Sequence, residues 1–293
     1  MNFNKDLSNT NFTNEEKVQS FYLLQKEINK DKFFIGRLSG NEPLLCGCII
    51  NNINIPDWLY NNMLFVAGIK FNNINDVKKY KTLYINSILN TTLLGIWDNN
   101  MFKQSKMVLD HINDKNKKYI CAHALEPYYY MNDPNYNFNE LIKNKKLLII
   151  TSHKETTNMQ LNKLDQLFNK PIFNNNEFYI YKPSQQNGGS HDNNSWEYHY
   201  NLMITDITKI KKEFNFDIAL VSAGGFGMLI SDFIYKNTNS NVIYVGGALQ
   251  LFFGIMGKRW ENSNEIKKNN NWVYPIDTDK PKNINTCENG CYW

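Results

Sequence analysis

The chain carries short, nearly unbroken apolar runs, separated by longer stretches in which apolar residues return every three or four positions. Runs of the first kind lie at residues 33–38 (FFIGRL), 119–124, 144–151 (NKKLLIIT), 217–223 (DIALVSA) and 242–245. Runs of this length and character predict strands buried on both faces, the habit of parallel sheets. The helical rhythm is clear over 15–29, where Val18, Phe21, Leu24 and Ile28 share a face. It returns over 43–53, with Pro43 near the first turn, and over 58–69, 76–94 and 156–168. The segment 196–214 turns Tyr200, Met203, Ile207 and Ile210 toward a core, and 228–235 is the last such stretch. Strands alternating with helices predict an α/β fold, a mostly parallel sheet flanked by helices.

This pattern places a flexible tail at 1–15 and a single α/β domain at 16–293, with a boundary near 140 if the domain divides into two lobes. The segment 183–195 (PSQQNGGSHDNNS) reads as a mobile loop or lid. The end of the chain, ENGCYW, is aromatic enough to predict that it packs back onto the body.

The densest stretch is 216–260. The strand at 217–223 runs into Gly224, Gly225 and Gly227, and the strand at 242–245 into Gly246 and Gly247. Lys258 and Arg259 follow. Glycine lets backbone approach a ligand closely, and a helix N-terminus presents N–H groups and a positive dipole end to an anion. These positions are therefore candidate phosphate-binding residues at the carboxyl ends of parallel strands. The plainer reading makes the glycines turn punctuation and Lys258-Arg259 a solvated turn. AGGFG is not the dinucleotide fingerprint, and the chain has no P-loop.

Composition narrows the class. With 293 residues, 42% hydrophobic, the chain is long enough for a substantial core. A net charge of +4, with lysines scattered rather than striped, argues against a general nucleic-acid binder. No stretch reaches transmembrane length and no signal peptide is apparent, so the expectation is a cytoplasmic protein. The five cysteines read as reduced, mostly buried thiols. Cys46/Cys48 and Cys287/Cys291 lack the usual zinc-knuckle spacing. His111, His123, His191 and His199 show no ligand spacing and receive no role.

Taken in order, GRLSGNE, LEPYYY, KKLLIITSHKETTNMQ, FDIALVSAGGFG and VGGALQLFFGIMGKRW resemble the GT-D fold glycosyltransferases and a related group of proteins from polysaccharide loci and large viruses. The resemblance spans roughly residues 34–260. On its pattern sit Arg37, Glu42, Glu126, Gln160, Gly224, Gly227, Gly246, Gly247, Gln250, Gly257, Lys258, Arg259 and Trp260. It implies a GT-D-like, Rossmann-like sheet and transfer of a sugar from a nucleoside diphosphate donor, with UDP as the first expectation, to a glycan acceptor. For a viral protein, the virus factory would be the place of action. Family members that use a divalent cation, Mn2+ or Mg2+, hold it with an Asp and a Glu in the first motif. Here Gly40 stands at the Asp position and Glu42 remains, so no metal ligands are assigned.

The roles then expected are these. Gly224, Gly225, Gly227, Gly246, Gly247, Gln250, Lys258 and Arg259 hold the donor phosphates. Arg37 helps neutralise the leaving group. Glu42 is the first choice of general base and His153 the second. Arg37 with Glu42 also reads as a structural ion pair, and His153 as a helix cap. Trp260 reads as a stacking platform or an apolar anchor, and Tyr128, Tyr129 and Tyr130 as an acceptor groove or core. The competing functions are a non-catalytic nucleotide-sugar-binding protein and another polysaccharide-modifying transferase, such as a pyruvyl transferase. The partners expected are the donor and the glycan, without nucleic acid or a membrane span, and with a homo-oligomer as a further expectation.

Overall fold

A computed structural model describes residue 7 and residues 11–293. Seven strands form one parallel sheet in the order β3-β2-β1-β7-β6-β4-β5. They are β1 (Phe34–Arg37), β2 (Leu93–Ile96), β3 (Tyr119–Cys121), β4 (Lys146–Ile150), β5 (Glu177–Tyr181), β6 (Ile218–Val221) and β7 (Asn241–Tyr244). The α/β expectation holds. Because β7 pairs with β1 and with β6, the segments before and after residue 140 share one sheet.

The inner strands bury side chains on both faces, and successive residues enter different cores. In β4, Leu148 and Ile150 join one apolar cluster, and Leu147 and Ile149 the other. The first cluster contains side chains of α2 (Asn41–Ile50), α3 (Asp57–Phe65), α4 (Ile74–Asn90), α5 (Asn99–Ile112), α8 (Trp196–Phe214) and α9 (Gly227–Asn237). The second contains α1 (Asn14–Ile28), α6 (Phe138–Leu141), the 3-10 segment Gly247–Phe253 and Trp260. The remaining helix, α7 (Lys154–Gln160), follows β4.

Several sequence expectations shift. Most of the tail expected at 1–15 lies outside the described residues, but Phe12 is buried and Thr13 forms a capping box with Glu16 at the start of α1. The helix expected over 76–94 stops at Asn90, and Leu93 and Leu94 begin β2. The helix expected over 156–168 is α7 followed by the 3-10 segment Leu161–Gln166. Strand β5 was not anticipated; it is a sheet edge and mostly half-buried. Among the described residues, no helix is long and apolar enough to cross a membrane.

The end of the chain does pack back. Asp279 is fully buried at the start of α7, where it accepts from the N–H groups of Glu155 (3.2 Å) and Thr156 (2.7 Å) and from the Thr156 hydroxyl (2.7 Å). Asn283 N–H donates to the Gly188 carbonyl at 2.8 Å. Residues 277–293 thus cross from α7 to the 183–195 loop before returning to the sheet.

Candidate active site

A cavity of about 440 Å³ opens at the carboxyl ends of the strands, and every strand of the sheet sends a following residue to its wall. Ser39 and Glu42 follow β1, Trp97 follows β2, and His123 and Glu126 follow β3. Ser152 and His153 follow β4, residues 183–187 follow β5, Ala223 and Gly224 follow β6, and Gly246 and Gly247 follow β7. In parallel sheets this edge is where chains leave in opposite directions and a crevice opens. Here α2, leaving β1, packs in one core, while the 3-10 segment after β7 packs in the other.

Arg37 ends β1 in this crevice. Its guanidinium carbon lies 5.2 Å from the Trp97 ring and 5.6 Å from the Tyr244 ring. Its Nε is buried without a hydrogen-bond partner. No ion pair links Arg37 to Glu42 among the described residues, so the structural-pair reading does not hold. Gly246 is needed beside it. Its φ is +74°, and a Cβ there would overlap the Arg37 guanidinium. Gly247 is close-packed for another reason: a Cβ there would overlap the Tyr292 ring.

The other glycines act differently. Gly224 lines the cavity with φ +50°, and a Cβ would stand 2.7 Å from the Ala67 carbonyl oxygen. The N–H of Gly225 donates to that same oxygen at 2.8 Å, and Gly227 makes room for the Tyr244 ring. Neither Gly225 nor Gly227 lines the cavity. The turn after β6 is therefore largely a packing turn against residues 66–69.

Among the cations at 258–259, Lys258 is exposed and does not line the cavity. Arg259 does line it, paired with Glu288 and donating to the Tyr292 hydroxyl at 3.0 Å. Gln250 is buried and anchors the chain end, its Nε2 donating to the carbonyls of Ile255 and Tyr292, both at 3.2 Å. Trp260 is 7% exposed and lines the cavity beside Arg259 and Tyr292.

Two carboxylates face this space from buried positions. Glu42 accepts from the Ser39 hydroxyl, and Glu126 from the Tyr128 hydroxyl at 2.6 Å. Burial raises the pKa of each, against the lowering effect of its hydroxyl donor and of Arg37. A carboxyl raised this way is a stronger base once ionised. His153 is buried, with Nδ1 unpartnered, and burial lowers its pKa to about 4. It is neutral at physiological pH and also occupies the N-cap position of α7.

The donors do not fit the cation that the resemblance implies. The side chain of Gln104 fills the space beside Gly40 that a Cβ would need, leaving Glu42 alone in that motif. Among the described residues, no group of three or more His, Cys, Asp or Glu could hold a metal ion. Cys287 and Cys291 are buried, and burial pushes both thiols up to about 12.

Among the expected residues, Arg37, Glu42, His153, Gly224, Gly246, Gly247, Gln250 and Arg259 meet in one cavity, while Gly225, Gly227 and Lys258 stay outside it. Residues not anticipated as part of the site include Trp97, Tyr244, Glu288, Tyr292 and Trp293. Trp97 is obscured in the sequence because Leu93 and Leu94, which begin β2, continue the helical rhythm of 76–94. No protein-family model, curated protein or solved structure matches this chain.

Proposed function

We propose that the protein is a glycosyltransferase that takes a sugar from a nucleoside diphosphate donor, with a uridine diphosphate sugar as the first donor to test. The observation that carries this reading is Arg37: a guanidinium beside two aromatic rings and a glycine of positive φ, with no ion pair among the described residues and a buried, unpartnered Nε. A cation in a cavity that no described carboxylate meets in a direct ion pair has N–H groups to offer an anionic ligand, and a guanidinium grips phosphate through paired N–H groups. Loss of the diphosphate leaves negative charge that Arg37 offsets, with Arg259 as the second cation on the wall. Glu42 takes the proton of the acceptor hydroxyl, and Glu126 is the other carboxylate placed for that step. His153, neutral and aimed into the same space, is the third candidate.

Gly40 and Gln104 favour a second reading, a protein that binds a nucleotide sugar without turning it over, since the Asp of the first motif is missing and Glu42 stands alone there. Donor binding by calorimetry and donor hydrolysis by chromatography, each with and without Mn2+, separate the two. Binding with turnover supports the transferase; binding without turnover under every acceptor and metal condition supports the second reading. Absence of binding to any nucleotide or nucleotide sugar overturns both.

A further inference from the structure

On the cavity wall formed by residues 183–187, Ser184 Oγ lies 2.7 Å from Nδ1 of His199, and His199 Nε2 lies 3.0 Å from Oδ1 of Asp192. His199 is 4% exposed, on the first turn of α8. The carboxylate at Nε2 fixes the proton on that nitrogen and leaves Nδ1 free to accept from the serine hydroxyl. Asp192 is itself held: its Oδ1 accepts from Asn194 N–H at 2.8 Å and its Oδ2 from Asn194 Nδ2 at 3.1 Å. Burial alone would raise the Asp192 pKa, but these bonds and that from His199 hold it down at about 2, so it stays anionic.

A side-chain amide completes the group. Asp192 N–H donates to Gln186 Oε1 at 3.1 Å, which turns Gln186 Nε2 toward Ser184 Oγ at 3.2 Å. The serine therefore faces an accepting imidazole nitrogen on one side and a donating amide on the other. A nucleophile within reach of a base, and the base oriented by a carboxylate, are the core of an acyl-transfer site.

We propose that Ser184 is a nucleophile, with His199 as its base, Asp192 as the group that positions His199, and Gln186 as the group that positions the Ser184 hydroxyl, and that the cavity hydrolyses carboxylic esters. Ser184 Oγ bonds to the acyl carbon while its proton passes to His199 Nδ1. The ester C–O bond then breaks, and that proton leaves on the departing alcohol. Water attacks the acyl-serine, giving up a proton to Nδ1, and the proton returns to Ser184 as the carboxylic acid is released. This step uses side chains of the cavity other than those assigned to sugar transfer, so either activity can fail without the other.

The test is covalent labelling of the full-length protein by a fluorophosphonate, read by intact mass and peptide mapping. The expected result is a single phosphonyl adduct on Ser184, none in Ser184→Ala, and labelling slowed roughly 100-fold or more in His199→Gln. His199 is buried, so Asp192→Asn, at a half-exposed carboxylate, is the second variant. In it, labelling slows, and the imidazole nitrogen signals seen by NMR shift away from the Nε2–H tautomer. Hydrolysis of 4-nitrophenyl acetate should fall in the same order. No adduct on Ser184 in folded wild-type protein, or equal labelling rates in wild type, His199→Gln and Asp192→Asn, overturns the proposal and leaves the three residues as a tether between the loop and α8.

Discussion

The Arg37 guanidinium occupies the space that a side chain on Gly246 would need. This couples the last residue of β1 to the turn after its neighbour β7, and it makes the glycine part of the proposed anion site, whose cavity it also lines. Gly246→Ala should therefore act twice. The positive φ and the overlap cost about 1–3 kcal/mol of stability, and the displaced guanidinium weakens nucleotide binding. Urea unfolding and UDP calorimetry on the same preparation check both. A variant that binds UDP like wild type would detach Gly246 from the site.

Arg37 and Lys258 should separate cleanly. Arg37→Ala is expected to raise the Kd for UDP by roughly 10- to 100-fold, the loss typical of a hydrogen bond to a charged group. Lys258→Ala should leave Kd unchanged, because Lys258 lies outside the cavity. Titration calorimetry at one fixed ionic strength makes the comparison.

His153 gives a pH dependence with a definite sign. Its folded pKa is lowered from 6.5 to about 4 by burial. Between those values the unfolded chain binds more protons than the native one, so the contribution is present above pH 6.5 and lost as pH falls toward 4. Relative to His153→Gln, the wild type should lose up to roughly 3 kcal/mol across that window. The raised carboxyls of Glu42 and Glu126 contribute with the opposite slope, and taking the difference between the two proteins cancels them. Denaturation at a series of pH values measures it, and parallel curves would mean that His153 is not buried neutral.

Asp279 ties the chain end to α7 through two backbone N–H groups and a hydroxyl. Asp279→Ala leaves those donors buried and unmet, and should cost about 2 kcal/mol. The midpoint in urea should fall without a change in slope. An unchanged midpoint would mean that the end of the chain is not seated on α7.

The inner sheet was legible in the sequence because two-sided burial writes unbroken apolar runs, as at Leu147–Ile150 and Ile218–Val221. Strand β2 was hidden because Leu93 and Leu94 continue the apolar rhythm of α4 after only two threonines. Strand β5, at an edge, carries Glu177 and half-buried aromatics and lacks such a run. In the site, Arg37 and the Gly246-Gly247 pair could be found from their position after strands. The cavity role of Tyr292 and Trp293 could not, since it depends on where residues 277–293 return in space. His199 had no sequence signal either, because its partners Ser184 and Asp192 come together only through the fold of the 183–195 loop.

The final strand of the chain lies at the middle of the sheet. Until β7 is inserted, β1 and β6 each present an open edge, which during synthesis is a template for pairing with other chains. The slowest event in assembling this domain should then be the docking of two half-sheets, and chaperone dependence should be concentrated in nascent chains that end before Asn241.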